Sequence, residues 1–148
     1  LFLEEETILS SSRFTSSSPV CRGVRGATTA TANTQEAILS ATRALLEEIA
    51  AANELFPEEV ASIFFTLTPD LNAEYPALAA RQMGWIDVPL LCAQEINKPE
   101  ALPRTIRVLL HWNTTVPQDE IRHIYINGAE VLRPDQATKE SIRQGGAA

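Results

Sequence analysis

Five polar or reactive side chains stand in or beside segments that alternate like strands: Arg25, Cys92, Glu95, Arg107 and Tyr125. Taken one at a time, each has an ordinary structural explanation, such as a solvated strand end for Arg25 or a small core residue for Cys92. The sequence contains no GxSxG, no GxxxxGK[ST], no HExxH and no glycine-rich dinucleotide turn, so the side chains point away from covalent catalysis. Arginine is the cation of choice here: ten Arg stand against only Lys98 and Lys139. The planar guanidinium fork holds carboxylates in a bidentate way, and genomic base composition accounts for the same skew equally well. His111 and His123 lie twelve residues apart in different elements, and Cys21 and Cys92 have no ligand neighbours in sequence, so no metal site is expected. Two cysteines make no disulfide framework and fit a reducing compartment, the cytoplasm.

With 12 Lys and Arg against 19 Asp and Glu, the net charge of the 148-residue chain is −7. An acidic sheath repels polyanions, which excludes nucleic acid and anionic membrane surfaces as partners on global electrostatics. No apolar run approaches the ~20 residues that span a bilayer. At 45% hydrophobic residues the chain can build one core, and its length predicts one domain.

The elements that must position these side chains begin at Val20. Residues 1–19, with six serines between positions 10 and 18, are predicted to form a flexible arm, and residues 136–148, ending GGAA, a flexible tail. VCRGVRGA reads as a strand with Val20 and Val24 in the core and Arg22 alternating outward. Asn33 is expected to cap a helix over roughly 34–53, with Glu36 reaching back as a capping box and Ile38, Ala41, Leu45, Ile49 and Ala52 repeating at helical spacing. Pro57 starts a short turn, and ASIFFTLT has the composition of a buried strand. A second helix runs from Pro76 to Gly84, with proline at its start and glycine past its end. Val88 to Cys92 is a short apolar strand. TIRVLLHWN alternates, with Ile106, Val108, Leu110 and Trp112 on one face and Arg107, Leu109 and His111 on the other. VPQDEI starts a helical turn, and HIYINGAEVL reads as a hairpin turning at Asn127–Gly128. Strands alternating with two real helices predict a single α/β-type domain with a mixed sheet and helices over one face.

The segments VRGATT at 24–29, TPDLNAEYPALAAR at 68–81, GWIDVPLLCAQE at 84–95, IRV at 106–108, VPQDEIRHIY at 116–125 and VLRPD at 131–135, in this order and spacing, resemble the monofunctional AroH-class chorismate mutases. The resemblance covers Val20 to Asp135. It implies an α+β protomer with a five-stranded mixed sheet and two main helices on one face, assembled as a homotrimer whose sheets form a pseudo α/β barrel with active sites at the subunit clefts. The implied activity is the Claisen rearrangement of chorismate to prephenate in phenylalanine and tyrosine biosynthesis, with no cofactor, base or nucleophile. Carried over position by position, Arg107 donates to the ether oxygen and a side-chain carboxylate, Arg25 and Tyr125 hold that carboxylate, and Glu95 accepts from the ring hydroxyl with Cys92 beside it. Arg81, Leu132 and Arg133 belong to parts that close over the site near the ring carboxylate, and Tyr75 and Ala77 match its walls.

The chain departs from that pattern at Tyr75, where the family often has Phe, and at Leu78, where some members carry a Lys. The alternative reading is a trimer of similar architecture without mutase activity, either a small-acid binder or one resembling the imine deaminases, whose motifs differ from those here.

Overall fold

A computed structural model describes residues 18–136; the predicted arm and tail fall almost wholly outside them. Its centre is the strand whose alternation is clearest. β4 (Thr105–Thr114) lies between β1 (Val20–Thr29) and β2 (Val60–Leu67), antiparallel to both. β3 (Leu90–Gln94) runs parallel to β2, and the two-residue β5 (Ile124–Tyr125) parallel to β1, giving a five-stranded mixed sheet in the order β3-β2-β4-β1-β5. Helix α1 (Gln35–Asn53) connects β1 to β2, and α2 (Ala77–Gln82) connects β2 to its parallel neighbour β3.

Directly paired residues share a face, so the registers sort the whole sheet. Val24, Leu110 and Ile63 form one row on the covered face; Gly26, Val108 and Phe65 form the next. All are buried beneath α1, whose Ile38, Thr42, Leu45, Leu46 and Ile49 are buried in turn. Gly26 sets how closely the helix approaches. A Cβ there would stand 2.8 Å from Ile49 Cδ1 and 3.0 Å from the Ile124 carbonyl oxygen, so a larger residue would force both neighbours to shift.

Several expectations shift. Thr34, not Asn33, caps α1: its hydroxyl accepts from the Ala37 N–H at 3.1 Å, which puts Glu36 one residue short of the capping-box position. The Asn33 side chain is used elsewhere, accepting from the Asn72 and Ala73 N–H groups and donating to Asn72 Oδ1 at 2.8 Å. Arg22 does not point outward. Period two places it on the same face as Val24, opposite Trp112, and it reaches Gln118 with its guanidinium at 3.4 Å. Val20 sits at the sheet's free end and is 46% exposed, outside the core. β3 begins at Leu90, two residues later than expected.

The 123–132 hairpin is absent. Asn127 and Gly128 do take left-handed conformations, φ 55° and 92°, but the chain then enters a 3₁₀ turn, Ala129–Leu132, in place of a return strand. Contacts with β1 decide this: Asn127 Nδ2 donates to Thr28 Oγ1 at 3.1 Å, and Thr29 Oγ1 donates to the Asn127 carbonyl at 2.5 Å. Among the described residues no helix is long and apolar enough to cross a membrane.

Candidate active site

The helices cover one face of the sheet and leave the other bare. Across the bare face a single row of paired residues runs through all five strands: Tyr125, Ala27, Arg107, Thr66 and Ala93. Ala27, between Tyr125 and Arg107, has no long side chain to separate them. Glu95 follows Ala93 by two residues and so returns to the same face. Its N–H donates to the Leu67 carbonyl at 2.8 Å, extending the β2–β3 pairing by one step.

Glu95 and Arg107 meet there. Arg107 Nε lies 3.3 Å from Glu95 Oε1, and Thr66 Oγ1 donates to the same oxygen at 2.6 Å. Half of the Arg107 side chain stays exposed while Glu95 is largely covered, so the guanidinium is oriented at one edge and open to a ligand at the other. Thr66 was not among the residues singled out from sequence, although its place between Phe65 and Leu67 in an alternating strand already assigns it to the non-core face. Beside this pair opens a cleft of about 330 Å³, lined by Glu95, Arg107, Lys98, Ile96, Leu102 and Leu132 among others.

The β1–β5 side adds two more expected residues, Arg25 and Arg133, near Tyr125. Arg25 stands in the next row, opposite Leu109, and its backbone N–H donates to His123 Nδ1 at 3.0 Å, tying the approach to β5 onto β1. Arg133 makes a two-pronged pair with Asp135, at 3.0 and 2.7 Å. That hydrogen bonding raises the Arg133 pKa, and Tyr125 contributes to the same effect, which places its ring beside the guanidinium. The Asp135 carboxyl is lowered from 3.8 to about 2, first by the hydrogen bond from Arg133.

A second group lies elsewhere. Cys92 pairs with the buried Phe65 and therefore faces the helices, on the opposite side of β3 from Glu95 three residues later. Burial raises the Cys92 thiol pKa, while the Ala77 N–H and the charge of Arg81 work in the other direction, so Cys92 lies near α2, close to Ala77 at its start and within reach of the charge of Arg81 in its last turn. Tyr75, just before that helix, is 69% exposed. Within one chain the expected residues thus form two clusters on different sides of the sheet edge. Among the described residues no three His, Cys, Asp or Glu gather as a metal-binding group.

A family model described as chorismate mutase type I matches residues 21–136, which includes both clusters and every strand of the sheet. The chain belongs to the type I chorismate mutase family. It is 52% identical over 115 residues to the chorismate mutase AroH of Thermus thermophilus, covering 77% of this chain and 94% of that one. Against the chorismate mutase AroH of Bacillus subtilis the identity is 47% over 115 residues, covering 77% and 91%. The fold is similar to the solved structure of a chorismate mutase from Clostridium thermocellum, with a TM-score of 0.73 at 46% identity, covering 74% of this chain and 97% of the other.

As a type I chorismate mutase fold, the bare face is suited to a small acid. Two arginines one row apart face the same side, Arg107 with its outer N–H groups open; the carboxylate beside it can accept from a hydroxyl, and Tyr125 adds a hydroxyl of its own. These groups can bind, orient and stabilise charge.

Proposed function

We propose that this face is one wall of a site that rearranges chorismate to prephenate, completed by a second copy of the chain in a homotrimer. The observation that carries the reading is the Arg107–Glu95–Thr66 arrangement in a chain of this family. The rearrangement breaks one carbon–oxygen bond and forms one carbon–carbon bond within a single molecule, with no proton transferred. The task left to the protein is to hold a compact conformer and to meet negative charge as it grows on the ether oxygen.

Arg107 is the residue for that charge. Its guanidinium is already aimed by Glu95, so little reorganisation accompanies the reaction; such a donor contributes about 3 kcal/mol to the transition state. Arg25 and Tyr125 hold the enolpyruvyl carboxylate. Glu95 accepts from the ring hydroxyl and is itself steadied by Thr66. From the second cluster, Arg81 and Cys92, with Tyr75 and Ala77 as walls, supply the other side of the site; Leu132 and Arg133 close it near the ring carboxylate.

Assembly follows from the same face. Leu109, Phe64 and Leu91 form one row beside Arg25 and are 39%, 43% and 57% exposed. A contiguous apolar row on a sheet calls for a covering surface, and a second copy of the chain is the proposed cover, its second cluster completing the first.

Loss of chorismate absorbance, with prephenate identified as product, tests the activity; no turnover above the uncatalysed rate would overturn it. The shared site is tested by mixing Arg81→Ala and Arg107→Ala proteins after dissociation. Recovered activity in a species of three chains' mass supports it, whereas a monomeric mass or mixtures as inactive as their parents would contradict it.

A further inference from the structure

Lys98 is the lysine of the β3–β4 loop, and the geometry points to it as the cation that captures the dianionic substrate at the mouth of the cleft; the inference rests on the function proposed above. Lys98 lines the same cleft as Glu95, Arg107 and Leu132. Its loop has a definite shape. The Lys98 N–H donates to the Ile96 carbonyl at 2.8 Å, and its own carbonyl accepts from Ala101 at 3.2 Å. Further on, Glu100 and Arg104 adopt left-handed backbone conformations, φ 65° and 49°. The loop's far end is tied down on both sides: the Arg104 N–H donates to Asp70 Oδ2 at 2.8 Å, Arg104 Nε to the Ala30 carbonyl at 3.1 Å, and Thr105 Oγ1 to the Leu102 carbonyl at 2.8 Å. The root of Lys98 is therefore held beside the cleft, and only the four-carbon stem is free to sweep.

Charge accounting gives it a task. Arg107 and Glu95 form an ion pair, so together they present no net charge to an approaching anion. Arg43 and Arg133 are paired with Glu47 and Asp135. Among the described residues Lys98 has no ion-pair partner within 4 Å; Glu100 and Asp70 line the adjoining cleft with it but not the cleft of Glu95 and Arg107. A chain of net charge −7 repels a dianion at long range, and an unpaired ammonium at the mouth reverses that field locally. A compact charge on a flexible stem suits capture, while the fixed forks of Arg25 and Arg107 suit orientation.

The role separates binding from chemistry. Lys98→Met raises KM for chorismate about three- to fivefold, the factor an exposed charge pair is worth, leaves kcat near that of the parent, and flattens the dependence of kcat/KM on ionic strength. Lys98→Arg restores both, and Lys98→Glu raises KM further. An unchanged KM and an unchanged salt dependence in Lys98→Met, or a loss that falls on kcat, would overturn the assignment. A parent protein that does not convert chorismate overturns the underlying function instead, so the two failures are distinct.

Discussion

One strand supplies both sides of the molecule, and its two faces differ both in composition and in what lies over them. On one side of β4, Ile106, Val108, Leu110 and Trp112 are buried under the helices and their loops. On the other, Arg107, Leu109 and His111 alternate with them and stay partly or largely open. The covered face is apolar along the strand from Ile106 to Trp112 and packs into the core of the single chain. The bare face mixes a guanidinium, a carboxylate and hydroxyls with Leu109, Phe64 and Leu91. A solvated face has no use for that apolar row, and a closed core has none for the charges. The combination suits a wall that meets both a polar ligand and another copy of itself. Buried apolar packing is therefore concentrated on one face and the open charged side chains on the other.

Substitutions on neighbouring residues of β2 can break that division. Phe65, fully buried on the covered face, loses about 3–5 kcal/mol of folding stability when replaced by Ala, read by chemical denaturation. Phe64→Ala, one residue away on the bare face, leaves the folding of the single chain nearly unchanged and weakens its self-association, read by sedimentation at decreasing concentration. Equal losses of folding stability at both positions would mean the two faces are not distinct.

Thr66→Val keeps the shape of the side chain and removes the 2.6 Å hydrogen bond to Glu95. Hydrogen bonds to charged groups contribute up to about 1.5–3 kcal/mol to stability, so the melting temperature should fall modestly, and kcat/KM should fall as well because Glu95, freed from Thr66, no longer aims Arg107. A fall in stability with unchanged kinetics would place Thr66 with the core residues and not with the site.

The smallest effect is at Asp135. Its folded carboxyl titrates at about 2, below the ordinary 3.8, because Arg133 donates to it. A depressed carboxyl adds stability above its unfolded value and loses it as the pH falls through the folded value, so this contribution disappears between about pH 4 and 2. Both groups are exposed enough for the effect to be slight. An NMR titration should find Asp135 near 2 in the parent and close to 3.8 in Arg133→Ala; the same low value in both would show that Arg133 is not its cause.

Much of this arrangement is legible in the sequence because period-two and period-3.6 patterns report burial directly. The alternation at 105–114 assigns Arg107 to the face away from the core, and Pro76 with Gly84 brackets α2. What stays hidden is set by partners distant in sequence. Asn127–Gly128 carries the backbone conformations of a hairpin turn, yet Thr28 and Thr29, about a hundred residues earlier, redirect the chain. The proximity of Thr66, Glu95 and Arg107 depends on the register of three strands, which no local pattern encodes. The separation of Cys92 from Glu95 is simpler: three residues along a strand reverse the face. The roles of the site residues came from resemblance to a family, since each of those side chains alone fits an ordinary structural place.

If Arg107 meets the charge developing on the bare face, saturating chorismate kinetics of Arg107→Ala reveal it most directly. A guanidinium that acts only in the transition state predicts a fall in kcat of about a hundredfold or more, with the fold and the assembly intact. An unchanged kcat with only KM raised would contradict it.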